Sequence, residues 1–292
     1  MVEGLRESLL ESILSSLSGF DSSVEKAQNV LTGNGTGAFD TDTVWNAVLA
    51  LSNSLKPFCY IIIALCLLIE IAQVAAKVDV IKWEHGLKLC IKMVFAKLCI
   101  DIAPTFLRAC FNQANIWINS ALAAGSYQSL GNMLSSEVQT QVANVTGFGR
   151  LLGMFVSTML VSLVIKICGI WVQLIAYGRM FEIYIYLAVS PLPCAFFPLG
   201  DGRGDGISRI TQKFFKSFIA VCLQGVMIIL CIRIFYMIIG NAFTSMIESA
   251  LAAGSASGMV LELCYTMLLG AGVLFISVSK CGNMAKGIID AM

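Results

Sequence analysis

Nine ionisable residues lie within or at the edges of the apolar runs of this chain: Glu70, Lys92, Lys97, Asp101, Lys166, Arg179, Glu182, Arg233 and Glu262. At the centre of a membrane-crossing helix each costs about 2.5 to 3.5 kcal/mol on insertion scales, so such groups face an interior, a partner or water. At about 100° per residue, Lys97, Asp101, Arg108, Asn112 and Asn115 fall within one narrow arc. That stripe fits either the wall of an aqueous path or a polar seam between helices with snorkelling ends. Lys97 and Asp101 are spaced i,i+4 and Arg179 and Glu182 i,i+3, so each pair is suited to mutual neutralisation.

No spacing of residues points to catalysis. The phosphate-cradling GxxxxGK[ST] is absent, and a single histidine, His85, rules out HExxH and zinc clusters. Glycines 200, 202, 204 and 206 alternate without forming GxGxxG after a strand, and read as a flexible loop. Eleven cysteines contain no CxxC and lie mostly inside apolar runs, as at Cys59, Cys66, Cys99, Cys168, Cys222, Cys231 and Cys264, where they act as small buried hydrophobes. The expectation is a protein that is not an enzyme, with no catalytic residue, no cofactor and no metal. A net charge of +1 without a basic patch argues against nonspecific nucleic-acid binding.

The elements that carry these charges follow from composition. Hydrophobic residues make up 58% of the chain and charged ones 13%, against roughly 25% charged in a soluble domain. Runs at 58–76, 87–111, 151–175, 214–240 and 259–279 reach the ~20 residues needed to cross a bilayer. The predicted fold is all-α: a polytopic transmembrane bundle of about five spans, a Pro-interrupted re-entrant or sixth helix, and an amphipathic N-terminal helix. In that opening helix Leu5, Leu9, Leu10, Ile13, Leu14 and Leu17 recur at helical spacing among acidic residues, which suits a membrane surface or a docking partner. A second amphipathic piece, TVWNAVLALSNSL, follows the Gly-rich loop LTGNGTGAF. The acidic start and the lack of a continuous apolar region predict no leader cleavage.

Loops at 112–149 and 241–258 hold no Lys or Arg and are expected outside, whereas basic residues at 77–86, 200–213 and the C-terminal tail are expected in the cytoplasm. Five crossings satisfy both sets if 178–200 enters from the cytoplasm and returns. Pro191 and Pro193 then free backbone groups that a protein-lined or wet cavity satisfies. The resulting plan is an extracytoplasmic or interfacial region 1–57, two membrane helices in 58–111, an outward loop 112–150, and a membrane core 151–292 containing 178–200. The N-terminus lies outside and the C-terminus inside. The word SALAAGS occurs at 120–126 and 249–255, but its flanks share no register and support no inverted repeat.

An Arg followed by EIYIYLAVSPLP, a short Gly-rich loop and FFKSFIAVCLQGVMIILCIRIFYMII resembles the TrbL-like family of conjugal transfer proteins, in the form carried by Gram-positive conjugative elements. The resemblance is most specific over 150–240. It implies a channel subunit of a type IV secretion system in the cell membrane, through which DNA and protein pass only transiently. It further implies a homo-oligomeric ring, contact with other secretion subunits and with separate ATPases, and lipid around the spans. Arg179, Glu182, Pro191, Pro193 and Gln224 would belong to its shared core. Candidate lining or interface residues are therefore Lys97, Asp101, Arg108, Asn112, Arg179, Glu182, Pro191, Pro193, Gln224, Arg233 and Glu262. The alternative is a secondary transporter or ion channel for a small solute, with Lys97, Asp101, Glu182 and Arg233 as its coupling set.

Overall fold

A computed structural model describes residues 2–33, 41–77, 83–123, 148–196, 208–253 and 256–291. All of the regular structure among them is helical: α1 (Val2–Leu31), α2 (Thr41–Lys77), α3 (Trp83–Ala123), α4 (Phe148–Val189), α5 (Pro191–Ala195), α6 (Ser208–Ala253) and α7 (Ala256–Ala291). Four stretches are long and apolar enough to cross a membrane: Asp42–Ala72, Leu152–Ala195, Ile210–Ala242 and Cys264–Ile289. The chain is a polytopic helical membrane protein. The run 87–111 lies in a 41-residue helix but is not among the four, because Lys88, Lys92, Lys97, Asp101 and Arg108 keep charge recurring along it.

Two expected loops begin later than the charge pattern implied. α3 continues through Asn112 to Ala123, and α6 through Asn241 to Ala253, since neither stretch contains Gly or Pro. A lack of Lys and Arg marks a side of the membrane and says nothing of helix ends. The rest of the outward loop, 124–147, and the Gly-rich loop at 200–206 lie outside the described residues, as does 34–40.

The segment 178–200 does not enter the membrane on its own. α4 runs unbroken through Gly178, Arg179 and Glu182 to Val189 and ends at Ser190. Pro191 has no N–H for the Leu187 carbonyl four residues back. Ser190 supplies both substitutes, its N–H donating at 3.3 Å and its hydroxyl at 2.8 Å to that carbonyl. Pro191 and Pro193 are buried, and the Pro193 carbonyl accepts a 2.7 Å hydrogen bond from the Thr211 hydroxyl of α6. The Leu187 carbonyl freed by Pro191 is thus satisfied by protein, as the low dielectric demands.

The chain forms two compact units. One comprises Met1–Thr32, Trp117–Gly178 and Gly225–Gly282; the other comprises Gly33–Ile116, Arg179–Gln224 and Asn283–Met292. In the first, Leu9, Ile13, Leu17, Phe20, Val24, Ala27 and Leu31 of α1 form a buried stripe at helical spacing. That stripe is covered by the chain's own helices and not by a membrane surface or a partner. Phe20 meets Phe235 at 5.9 Å between ring centroids, and Asp21 accepts a 2.7 Å hydrogen bond from the Tyr236 hydroxyl. Gly33, with φ of 78°, ends the helix in the left-handed conformation that suits glycine. In the second unit α2, α3 and α5 share a core of Cys59, Ile63, Ala96, Ile100, Ala103, Cys194 and Ala195.

Candidate lining and interface residues

α2 runs as one 37-residue helix through Pro57, joining the expected second amphipathic piece to the first span. The division expected between 57 and 58 therefore falls inside a helix. On α2, Asp42, Lys56 and Glu70 recur at equal steps of 14 residues, from 42 to 56 to 70. Each faces a charge of opposite sign on α3. Asp42 lies 3.8 Å from Arg108, Lys56 lies 3.8 Å from Asp101, and Glu70 accepts a hydrogen bond from Lys92. The partners descend α3 from 108 to 101 to 92, so the two helices are antiparallel here. Their charge order alternates from rung to rung.

The rungs differ in burial. Glu70 is 16% exposed and Lys92 34%, whereas Asp42 is 86% exposed, so the first pair contributes most and the last little. The middle rung gains a 2.9 Å hydrogen bond donated by the Tyr60 hydroxyl to Asp101 Oδ1. At the outer rung the Arg108 guanidinium sits 5.5 Å from the centre of the Trp45 ring, within cation–π range. Trp45 in turn stacks on Phe111 at 5.8 Å and meets Tyr184 edge-on at 6.4 Å.

Lys97 and Asp101 do not neutralise each other, because Asp101 is taken by Lys56 and Tyr60. Lys97 and Asn112 are exposed on α3. Arg179 and Glu182 do pair, at 2.5 Å within α4. Gln224 is buried at 2% exposure. Those residues, with Pro191 and Pro193, belong to the second unit. In the first, an Arg233 Nη2 donates a 2.5 Å hydrogen bond to the Leu122 carbonyl, and Glu262 is exposed.

Lys56, Tyr60, Asp42 and Trp45 are the members of this network that the sequence reading overlooked. The signal was present in the 14-residue recurrence on α2, but its partners lie on α3 and are not marked by the spacing on one helix. Asp21 and Tyr236, far apart in sequence, carried no such periodic mark. All eleven cysteines are unbridged. Among the described residues no three His, Cys, Asp or Glu side chains gather as a metal site.

Chemically, this is a neutralising seam. Paired charges let α3 lie beside α2 in surroundings where single charges cost about 2.5 to 3.5 kcal/mol each. A polytopic membrane protein whose charges are stitched together in this way needs a functional class from outside its geometry. Residues 25–191 match the family model for TrbL/VirB6 plasmid conjugal transfer like protein, and the chain belongs to that family. The match takes in α2, α3 and α4 and ends at Pro191. No curated protein and no solved structure matches the chain significantly.

Proposed function

We propose that this protein is a channel or platform subunit of a conjugative type IV secretion system, supporting the passage of DNA and protein across the cell membrane. The observation that carries the reading is the family match over 25–191, which covers the paired helices α2 and α3 and all of α4. In this reading copies of the chain associate as a ring with other secretion subunits. Separate ATPases supply energy, and lipid surrounds the apolar faces. The N-terminus lies outside and the C-terminus in the cytoplasm.

The coupling set of a small-solute transporter is less well supported. Asp101 is held by Lys56 and Tyr60, Glu182 by Arg179, and Arg233 by a backbone carbonyl, which suits fixed structural roles. An in-frame deletion in a donor cell tests the proposal. Transfer frequency should fall to background and return when the intact chain is supplied in trans. Unchanged transfer from the deletion strain would end the proposal.

A further inference from the structure

We propose that Cys231 and Cys281 form an oxidisable dithiol, a modification site that an uncharged alkyl hydroperoxide converts to a disulfide joining α6 to α7. The proposal is independent of the channel-subunit reading and would survive its loss. It begins with reach. The two sulfurs lie 3.4 Å apart, although they are 50 positions distant in sequence and stand on different helices. A disulfide is about 2.05 Å long, so the sulfurs have only about 1.4 Å to close. Both residues belong to the first unit, which makes their spacing a property of one compact body.

The two thiols are not equivalent. Cys231 is half-buried and lines a cavity of about 390 Å³ between α6 and α7, whose only hydroxyls come from Thr266 and Ser277. Cys281 is fully buried and takes no part in that lining. Its sulfur donates a 3.2 Å hydrogen bond to the Ser277 carbonyl one turn back, which fixes it against Cys231. The missing side chain at Gly270 lets α7 approach α6, since an added Cβ would collide with Ile239 and Phe235. The lining falls within Ile210–Ala242 and Cys264–Ile289, two of the stretches apolar enough to cross a membrane. A charged oxidant is costly to bring into such a space, whereas an uncharged molecule with an apolar tail is not. An alkyl hydroperoxide has that tail and a weak O–O bond.

The chemistry runs in two steps. The Cys231 sulfur, as thiolate, attacks the terminal peroxide oxygen: an S–O bond forms, the O–O bond breaks, and the alkoxide leaves with the thiol proton as an alcohol. The sulfenic acid now on Cys231 faces the Cys281 sulfur. An S–S bond forms, the S–O bond breaks, and hydroxide leaves with the Cys281 proton as water. Two thiols have then lost two electrons and two protons, and one hydroperoxide has become one alcohol and one water. Cys281 is the resolving thiol. It holds Cys231 at the reversible stage, short of sulfinic acid, and the product ties the two walls of the cavity together.

The test is oxidation of the unaltered chain in native membrane vesicles with cumene hydroperoxide. Denaturation in the presence of N-ethylmaleimide then blocks unreacted thiols, and trypsin digestion and mass spectrometry follow. Cleavage after Lys216, Arg233, Lys280 and Lys286 places Cys231 in peptide 217–233 and Cys281 in peptide 281–286, and fragmentation separates Cys231 from Cys222. The dose is raised until the exposed Cys90 is oxidised, which shows that oxidant has reached the protein. The two peptides should then appear joined, with about tenfold more of this pair than of any other pair of cysteines, and dithiothreitol should part them. In Cys281→Ser, dimedone should capture Cys231 as the sulfenic acid. Recovery of both thiols as maleimide adducts overturns the proposal, as does recovery of Cys231 as sulfinic or sulfonic acid with Cys281 intact. Dimedone capture of Cys281 in Cys231→Ser, without capture of Cys231 in the other variant, overturns the order of attack.

Discussion

α1 and α3 both carry polar stripes beside apolar surroundings, and each disposes of its stripe differently. On α3 every rung of charge that meets α2 finds an opposite charge: Arg108 with Asp42, Asp101 with Lys56, Lys92 with Glu70. On α1 the buried carboxylate, Asp21, is tied to Tyr236, while Glu25, Lys26 and Asn29 on its other side are exposed. Periodicity marks a polar face in both cases. Only the neighbouring helix decides whether that face is paired or left exposed.

The seam gives the largest effect. Glu70→Lys sets two cations together at the most buried rung and should lower stability by about 3 kcal/mol, measured as thermal unfolding in mild detergent. Adding Lys92→Glu should restore most of the loss. If the double variant is as unstable as the single one, α2 and α3 are not joined by this ladder.

Tyr236→Phe comes next. It removes a hydrogen bond to the buried Asp21 carboxylate, which should cost about 2 kcal/mol by the same assay, since bonds to charged groups are the stronger kind. A loss below the error of the measurement would detach α1 from the core described above.

The middle rung is more exposed, so Lys56→Gln should cost about 0.5 to 1 kcal/mol. Exchanging Lys56 and Asp101 together should recover that cost, whereas exchanging Lys97 and Asp101 should not, because Lys97 is not the partner. Recovery by the second exchange would restore the i,i+4 pairing that spacing alone suggests.

On the α1 face, Ser18→Leu should shift stability by no more than about 0.5 kcal/mol, the usual range for surface positions. A loss above about 1 kcal/mol would mean that Ser18 is covered.

Much of this architecture is legible in the residues. Apolar runs of sufficient length mark the helices, and the leucines and isoleucines of the opening stretch mark the buried side of α1. Pro191 and Pro193 mark the break after Val189. What covers each face is not legible, because it depends on contacts between residues far apart in sequence. Asp101 is four residues from Lys97 yet bonds to Tyr60, 41 positions away. Helix continuity misled for a related reason. Pro57 and Pro104 lie inside α2 and α3 without ending them, since a missing backbone bond in a membrane helix is tolerated where neighbours or side chains compensate. The absence of Lys and Arg at 112–123 and 241–253 was compatible with loop or helix, and the lack of Gly and Pro there favours helix.

The native mass of the protein in lipid nanodiscs, by light scattering with particle imaging, tests the channel-subunit account most directly. A closed ring of several copies is the expected result. A monodisperse monomer of 31.5 kDa in lipid would contradict it.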